Sequence, residues 1–166
     1  MKTLYLARHA KSSWKYPELD DFERPLNNRG RRDAPAMGQI LRKLKISPDL
    51  IISSPATRAA TTARIIAEKI KYPLDQIVYN EQIYLAGEAS LLDVIKDIDN
   101  SVNKAMIFGH NPELTALANF IADSPVSNIP TCAVFCTELN IKSWSEAKEK
   151  SGKFRFFEYP KKYSNA

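Results

Sequence analysis

The chain is poor in histidine and cysteine and has no long apolar run, and each shortage removes a class of function. Nothing in its 166 residues approaches the roughly 18 consecutive apolar residues of a membrane-spanning helix, so no membrane partner is expected. The first strand-like run starts at the N-terminus, leaving no room for a signal peptide, and a cytoplasmic location is the expectation. The two cysteines, Cys132 and Cys136, lie four apart in strand-like sequence. An extended chain at about 3.3 Å per residue separates them by roughly 13 Å, too far for a disulfide. They lack the partner histidines or cysteines of a zinc site and read as buried, unreactive thiols. No carboxylate cluster offers a metal a home, so neither metal nor cofactor is expected. With no internal repeat, low-complexity tract or linker, residues 1–166 are expected to form one domain.

The net charge of +5 is local rather than general. From Lys142 to the end there are seven Lys/Arg against three Asp/Glu, which accounts for four of the five charges. That is a basic tail on a nearly balanced body. Without interleaved aromatics it does not describe a nucleic-acid module.

What is present is an alternation of short apolar runs and amphipathic stretches. Thr3-Leu4-Tyr5-Leu6-Ala7 is too short for a helix and reads as a buried strand that delivers Arg8 and His9 at its end. Asn27 or Asn28 can cap a helix burying Ala34, Met37, Ile40 or Leu41, and Leu44. Within it, Pro35 should kink the helix or mark its true start. Asp49–Ser53 is a second strand, and Ser54-Pro55 reads as a cap with proline at the first helical position. The helix that follows runs to about Ile70. Ile77–Tyr79 is a short strand leading to Glu81, and Leu91 to Ile98 a short helix. Lys104–Phe108 is a strand delivering Gly109 and His110, with Asn111-Pro112 repeating the helix start. Ala133–Leu139 and Phe154–Tyr159 close the pattern, with a short helix near Trp144. Such alternation predicts a three-layer α/β/α sandwich on a mostly parallel sheet. The last connection is too short for a crossover helix, so one antiparallel edge strand is expected.

The only two histidines, His9 and His110, each close an apolar run, at the rim where open α/β sheets bind ligands. Arg8 and Arg58, together with two helix N-termini, would make an anion site at that rim. A neutral imidazole there can attack phosphorus in line and form a phosphohistidine intermediate that water hydrolyses. Arg8, Arg58 and a protonated His110 would hold the charge on the equatorial oxygens. Glu81, along the same rim, would give the leaving group its proton.

At these residues the sequence resembles the histidine phosphatase superfamily, the group that includes cofactor-dependent phosphoglycerate mutases. The marks are Leu6-Ala7-Arg8-His9-Ala10, then Ser53-Ser54-Pro55-Ala56-Thr57-Arg58-Ala59-Ala60-Thr61-Thr62-Ala63, then Gly109-His110-Asn111-Pro112. Arg24-Pro25-Leu26 followed by Gly30 also matches. The resemblance implies a phosphoglycerate mutase-like fold, His9 as the phosphorylated nucleophile, Arg8, Arg58 and His110 as phosphoryl ligands, and Glu81 as proton donor. Ala10 replaces the usual glycine. Lys15 stands where mutases carry a phosphate-contacting asparagine, and it reads as facing water.

Only 29 positions separate Glu81 from His110, room for one helix and one strand. Mutases insert a larger cap there. The chain therefore resembles the short, SixA-type phosphohistidine phosphatases, and an uncapped rim suits a phosphate presented on a protein. The expected partner is a phosphorylated protein, such as a phosphohistidine domain. The alternatives are a phosphatase of small phosphate esters, or a non-catalytic phosphate-binding module.

Overall fold

The computed structural model describes residues 1–84 and 87–163. Six strands form one sheet: β1 (Lys2–Arg8), β2 (Leu50–Ser53), β3 (Val78–Tyr79), β4 (Lys104–Gly109), β5 (Val134–Leu139) and β6 (Gly152–Glu158). Their spatial order is β3-β2-β4-β1-β5-β6. The four strands on one side are mutually parallel, and antiparallel pairing is confined to the β1–β5 and β5–β6 side.

Four helices, α1 (Asn28–Lys43), α2 (Thr57–Lys69), α3 (Glu88–Lys96) and α4 (Glu113–Ile121), cover the two faces. The alternation along β1 sorts them. Leu4 and Leu6 join a cluster with Leu91 and Ile95 of α3 and Leu114 and Leu117 of α4. Tyr5 and Ala7 point the other way, into a cluster with Met37 and Leu41 of α1 and Ile66 of α2. Two cores on two faces make the three-layer sandwich. Among the described residues, no helix is long and apolar enough to cross a membrane.

Element boundaries follow local chemistry with instructive exceptions. Asn27 caps α1 by accepting the Gly30 N–H at 2.9 Å, so the helix starts at Asn28 and Pro35 lies inside it rather than marking its start. There it withholds the N–H that the Arg31 carbonyl would otherwise accept. Helix α2 begins at Thr57, two residues after the expected start at Pro55. The Ser54 hydroxyl accepts the Ala56 N–H at 3.2 Å, which makes a turn in place of a helix cap. Asp21–Glu23, in the stretch between β1 and α1, form a 3-10 turn. Gly30 is obligatory for packing: a methyl group there would overlap the carbonyl oxygen of Lys11. Both cysteines are buried and free, and Cys136 lies within β5. Burial pushes both thiols up, that of Cys136 to about 12.

Candidate active site

The register of three parallel strands assembles the site. Strand β1 pairs with β4 so that Arg8 lies opposite Gly109, and β2 pairs with β4 so that Ser53 lies opposite Phe108. One step further on, His9 lies level with His110, and Ser54 lies level with Gly109, one residue short of His110. Backbone bonds carry this register past the strand ends: the His9 N–H donates to the Gly109 carbonyl at 3.2 Å and the Ser54 N–H to Phe108 at 2.9 Å. The imidazole centroids of His9 and His110 stand 5.2 Å apart, with the rings tilted by 51°.

Both histidines are buried. His9 Nδ1 lies 2.7 Å from the Ala10 carbonyl oxygen, which can only accept, so Nδ1 carries the proton and Nε2 keeps its lone pair. Burial drives the His9 pKa down, against the hydrogen bond to Ala10, and the charges of His110, Arg58 and Arg8 drive it further, to about 3. His110 Nε2 sits 2.8 Å from Ser54 Oγ. Burial and Arg58 lower its pKa to about 4, with Asp21 opposing. The expected protonated His110 is thus not the form in the free protein, where both rings are neutral at pH 7.

The two arginines close the cluster. Arg8 donates from Nη1 to the Ile129 carbonyl at 3.1 Å. Arg58, in the first turn of α2, donates to the Asp21 carbonyl at 2.7 Å and to its carboxylate at 3.0 Å. Three polar atoms of the cluster are buried without a hydrogen-bond partner: Arg8 Nε, Arg58 Nε and His110 Nδ1. Among the described residues only Asp33 adds a fourth such atom, and that oxygen sits 3.4 Å from Arg29 Nε. Buried donors are rarely left unpaired unless a ligand pairs them.

Asp21 and Tyr84 belong to the site and carried no mark in the sequence. The Asp21 carboxylate accepts from Arg24, Arg58 and, at 2.7 Å, the Tyr84 hydroxyl. Burial pushes its pKa up, but the bonds from Tyr84 and Arg24 and the charge and bond of Arg58 outweigh it, leaving it at about 2. The Tyr84 ring meets His110 edge-on at 5.7 Å and Phe22 at 5.1 Å. The contacts span 63 residues between Tyr84 and Asp21, beyond the reach of any local pattern.

The Glu81 side chain shares no hydrogen bond or ion pair with this cluster among the described residues. Glu81 opens the 3-10 turn after β3, where its carbonyl accepts the Tyr84 N–H, and its exposed side chain makes no hydrogen bond or ion pair among the described residues. Strand β3 lies three places from β1 in the sheet, roughly 14 Å at ordinary strand spacing. Lys15 is exposed. Among the described residues, no group of three or more His, Cys, Asp or Glu is placed to hold a metal ion.

Known proteins share this arrangement of sequence and fold. A family model described as the histidine phosphatase superfamily (branch 1) matches residues 4–78. An uncharacterized protein of Mycobacterium tuberculosis is 34% identical over 116 residues, 69% of this chain and 69% of that one. An uncharacterized chloroplastic protein of Arabidopsis thaliana is 29% identical over 159 residues, 91% of this chain and 72% of the other. Among solved structures, a candidate phosphohistidine phosphatase SixA from Agrobacterium tumefaciens superposes with a TM-score of 0.80 at 27% identity. That match covers 96% of this chain and 98% of the other.

Proposed function

The chain belongs to the histidine phosphatase superfamily and is of its short SixA type, and from that premise we propose that it hydrolyses phosphohistidine on a protein, by way of a phosphorylated His9. The observation that carries this reading is the set of three unpaired polar atoms, Arg8 Nε, Arg58 Nε and His110 Nδ1, around an imidazole whose Nε2 lone pair is free. A tetrahedral dianion would pair all three.

In the proposed reaction His9 Nε2 attacks phosphorus as the bond to the substrate's leaving atom breaks. Arg8 and Arg58 hold the equatorial oxygens. His110 does so without a net charge. Ser54 Oγ, which accepts the Ala56 N–H, lies 2.8 Å from His110 Nε2 and in this reading donates its O–H to that nitrogen. That leaves the His110 proton on Nδ1, facing the anion. Water then attacks the phosphohistidine, releasing inorganic phosphate and the free His9 imidazole.

The nature of the leaving group follows from the carboxylates. Asp21 is held ionised and saturated with donors, so it is no acid at neutral pH. The exposed Glu81 carboxylate makes no bond to the cluster among the described residues. An alkoxide leaving group needs a proton from the protein; a phosphorylated imidazole protonated on its other ring nitrogen leaves as neutral imidazole. This favours phosphohistidine over a phosphate ester.

The test is turnover of a histidine-phosphorylated protein against a panel of sugar phosphates, with acid-sensitive label trapped on His9. A preference for the sugar phosphates would overturn the protein substrate. Label on another residue would overturn the nucleophile.

A further inference from the structure

The loop just after His9 carries an exposed indole that nothing in the phosphoryl chemistry uses. Trp14 is 75% exposed. One ring face is covered by the Arg24 guanidinium, 3.7 Å from the ring centroid. Arg24 is itself anchored by Asp21 at 3.1 Å, Ser12 Oγ at 2.6 Å and the Ser13 carbonyl at 3.4 Å. The indole is therefore held in place, with its other face open. Pinned, exposed aromatics are the side chains that anchor protein partners, because little freedom remains to be lost on binding.

Beside Trp14 the same loop borders a groove of about 240 Å³, lined in part by Ser13, Lys15 and Tyr16 and, from the start of α1, by Arg29 and Arg31. Three cations line it and no carboxylate does. Arg29 pairs outward with Asp33 at 3.4 Å, and Arg31 bonds the Leu26 carbonyl at 2.6 Å. Lys15 has no ion pair among the described residues and is the cation free for a partner. Ser13 is four residues from His9, no more than about 14 Å of extended chain. A polypeptide whose phosphorylated side chain reaches His9 would lay its flanking residues across this loop.

We propose that Trp14 and this groove dock the segment flanking the phosphorylated residue of a protein substrate, and that the groove selects acidic side chains there. The proposal rests on the phosphohistidine phosphatase reading and names the partner's chemistry: Trp14 supplies the apolar anchor and Lys15 the charge selection.

The test uses two synthetic peptides, each phosphorylated on a single histidine by phosphoramidate, one flanked by glutamates and one by serines and glycines. Phosphoimidazole serves as the small substrate. The wild type should favour the acidic peptide about tenfold in kcat/KM, through KM, and the preference should fade with salt. Lys15→Glu should remove that preference while leaving phosphoimidazole turnover within about twofold. Trp14→Ala should raise KM for both peptides. Equal turnover of the two peptides by the wild type, or Lys15→Glu slowing phosphoimidazole and peptides in proportion, overturns the docking groove. Anisotropy of dye-labelled phosphopeptides on the His9→Ala variant reads binding without turnover. Tighter binding of the acidic peptide with no hydrolysis by the wild type would sink the phosphatase reading and keep the groove. Hydrolysis without selective binding would do the reverse.

Discussion

The two ends of β1 treat buried positive charge in opposite ways. At the start of the strand, Lys2 is buried with its ammonium donating to the Asn100 carbonyl at 2.7 Å, the Val102 carbonyl at 2.9 Å and Asn103 Oδ1 at 3.1 Å. The Trp144 indole N–H donates to the same Val102 carbonyl. At the far end, Arg8 keeps an unpaired Nε, and its neighbours Arg58 and His110 each keep another unpaired atom. One end spends all its donors on the fold and the other holds them in reserve. An unpaired buried donor weakens a fold by about 1–3 kcal/mol, so several in one place mark a site whose partner comes from outside.

The contrast predicts that activity and stability separate along a single strand. The largest effect belongs to His9→Ala, expected to lower turnover of phosphohistidine protein by at least about 10³-fold. It should leave the unfolding midpoint near that of the wild type. Next comes Arg58→Met, which should cost about 10²–10³ in kcat/KM, as removal of one charge-stabilising donor does elsewhere. Thermal melts should barely move, because its Asp21 partner is half-exposed and can return to water. Lys2→Met should do the opposite, losing on the order of 2 kcal/mol in urea unfolding through stranded acceptors, with kcat unchanged. If Arg58→Met and Lys2→Met prove equally destabilising, the contrast between the two ends fails. Ser54→Ala should be milder, about tenfold in kcat, by releasing the His110 tautomer.

A further test lies in the pH dependence of stability. In the folded protein the pKa values of His9 and His110 lie at about 3 and about 4, below the unfolded value near 6.5. Between roughly pH 6.5 and 4 the unfolded chain binds more protons, so stability falls as the pH drops through that window. The double variant His9→Asn/His110→Asn should flatten the slope of melting temperature against pH there. Imidazole resonances titrating near 6.5 in the wild type would contradict the burial argument.

The fold was largely legible because its signals are local. Leu4 to Ala7, Ile51-Ile52 and Met106 to Phe108 are apolar runs of strand length, and each of the first and last ends in a histidine one residue beyond its strand. Once two such strands pair in register, their histidines must meet, so the sequence carried the pair without showing the distance. Arg58 was legible from its place in the first turn of a helix. Asp21 and Tyr84 were not, because an exposed-looking acid and a tyrosine after a short strand acquire meaning only through each other and Arg58. The helix start at Thr57 was missed for a related reason: Ser54 lies within reach of a ring 56 positions away, which local capping rules do not weigh. Glu81 shows the converse, a residue that motif position singles out and tertiary placement leaves at the surface.

The pairing of Arg8 with Gly109 has one more implication. Because side chains alternate across a strand, a single-residue deletion within β4 would turn the His110 ring toward the opposite layer of helices. The spacing of the two imidazoles is thus set by the backbone ladder rather than by any attraction between them. The loops beyond that ladder are free to lengthen and diversify, which leaves the choice of substrate open to change while the chemistry stays put.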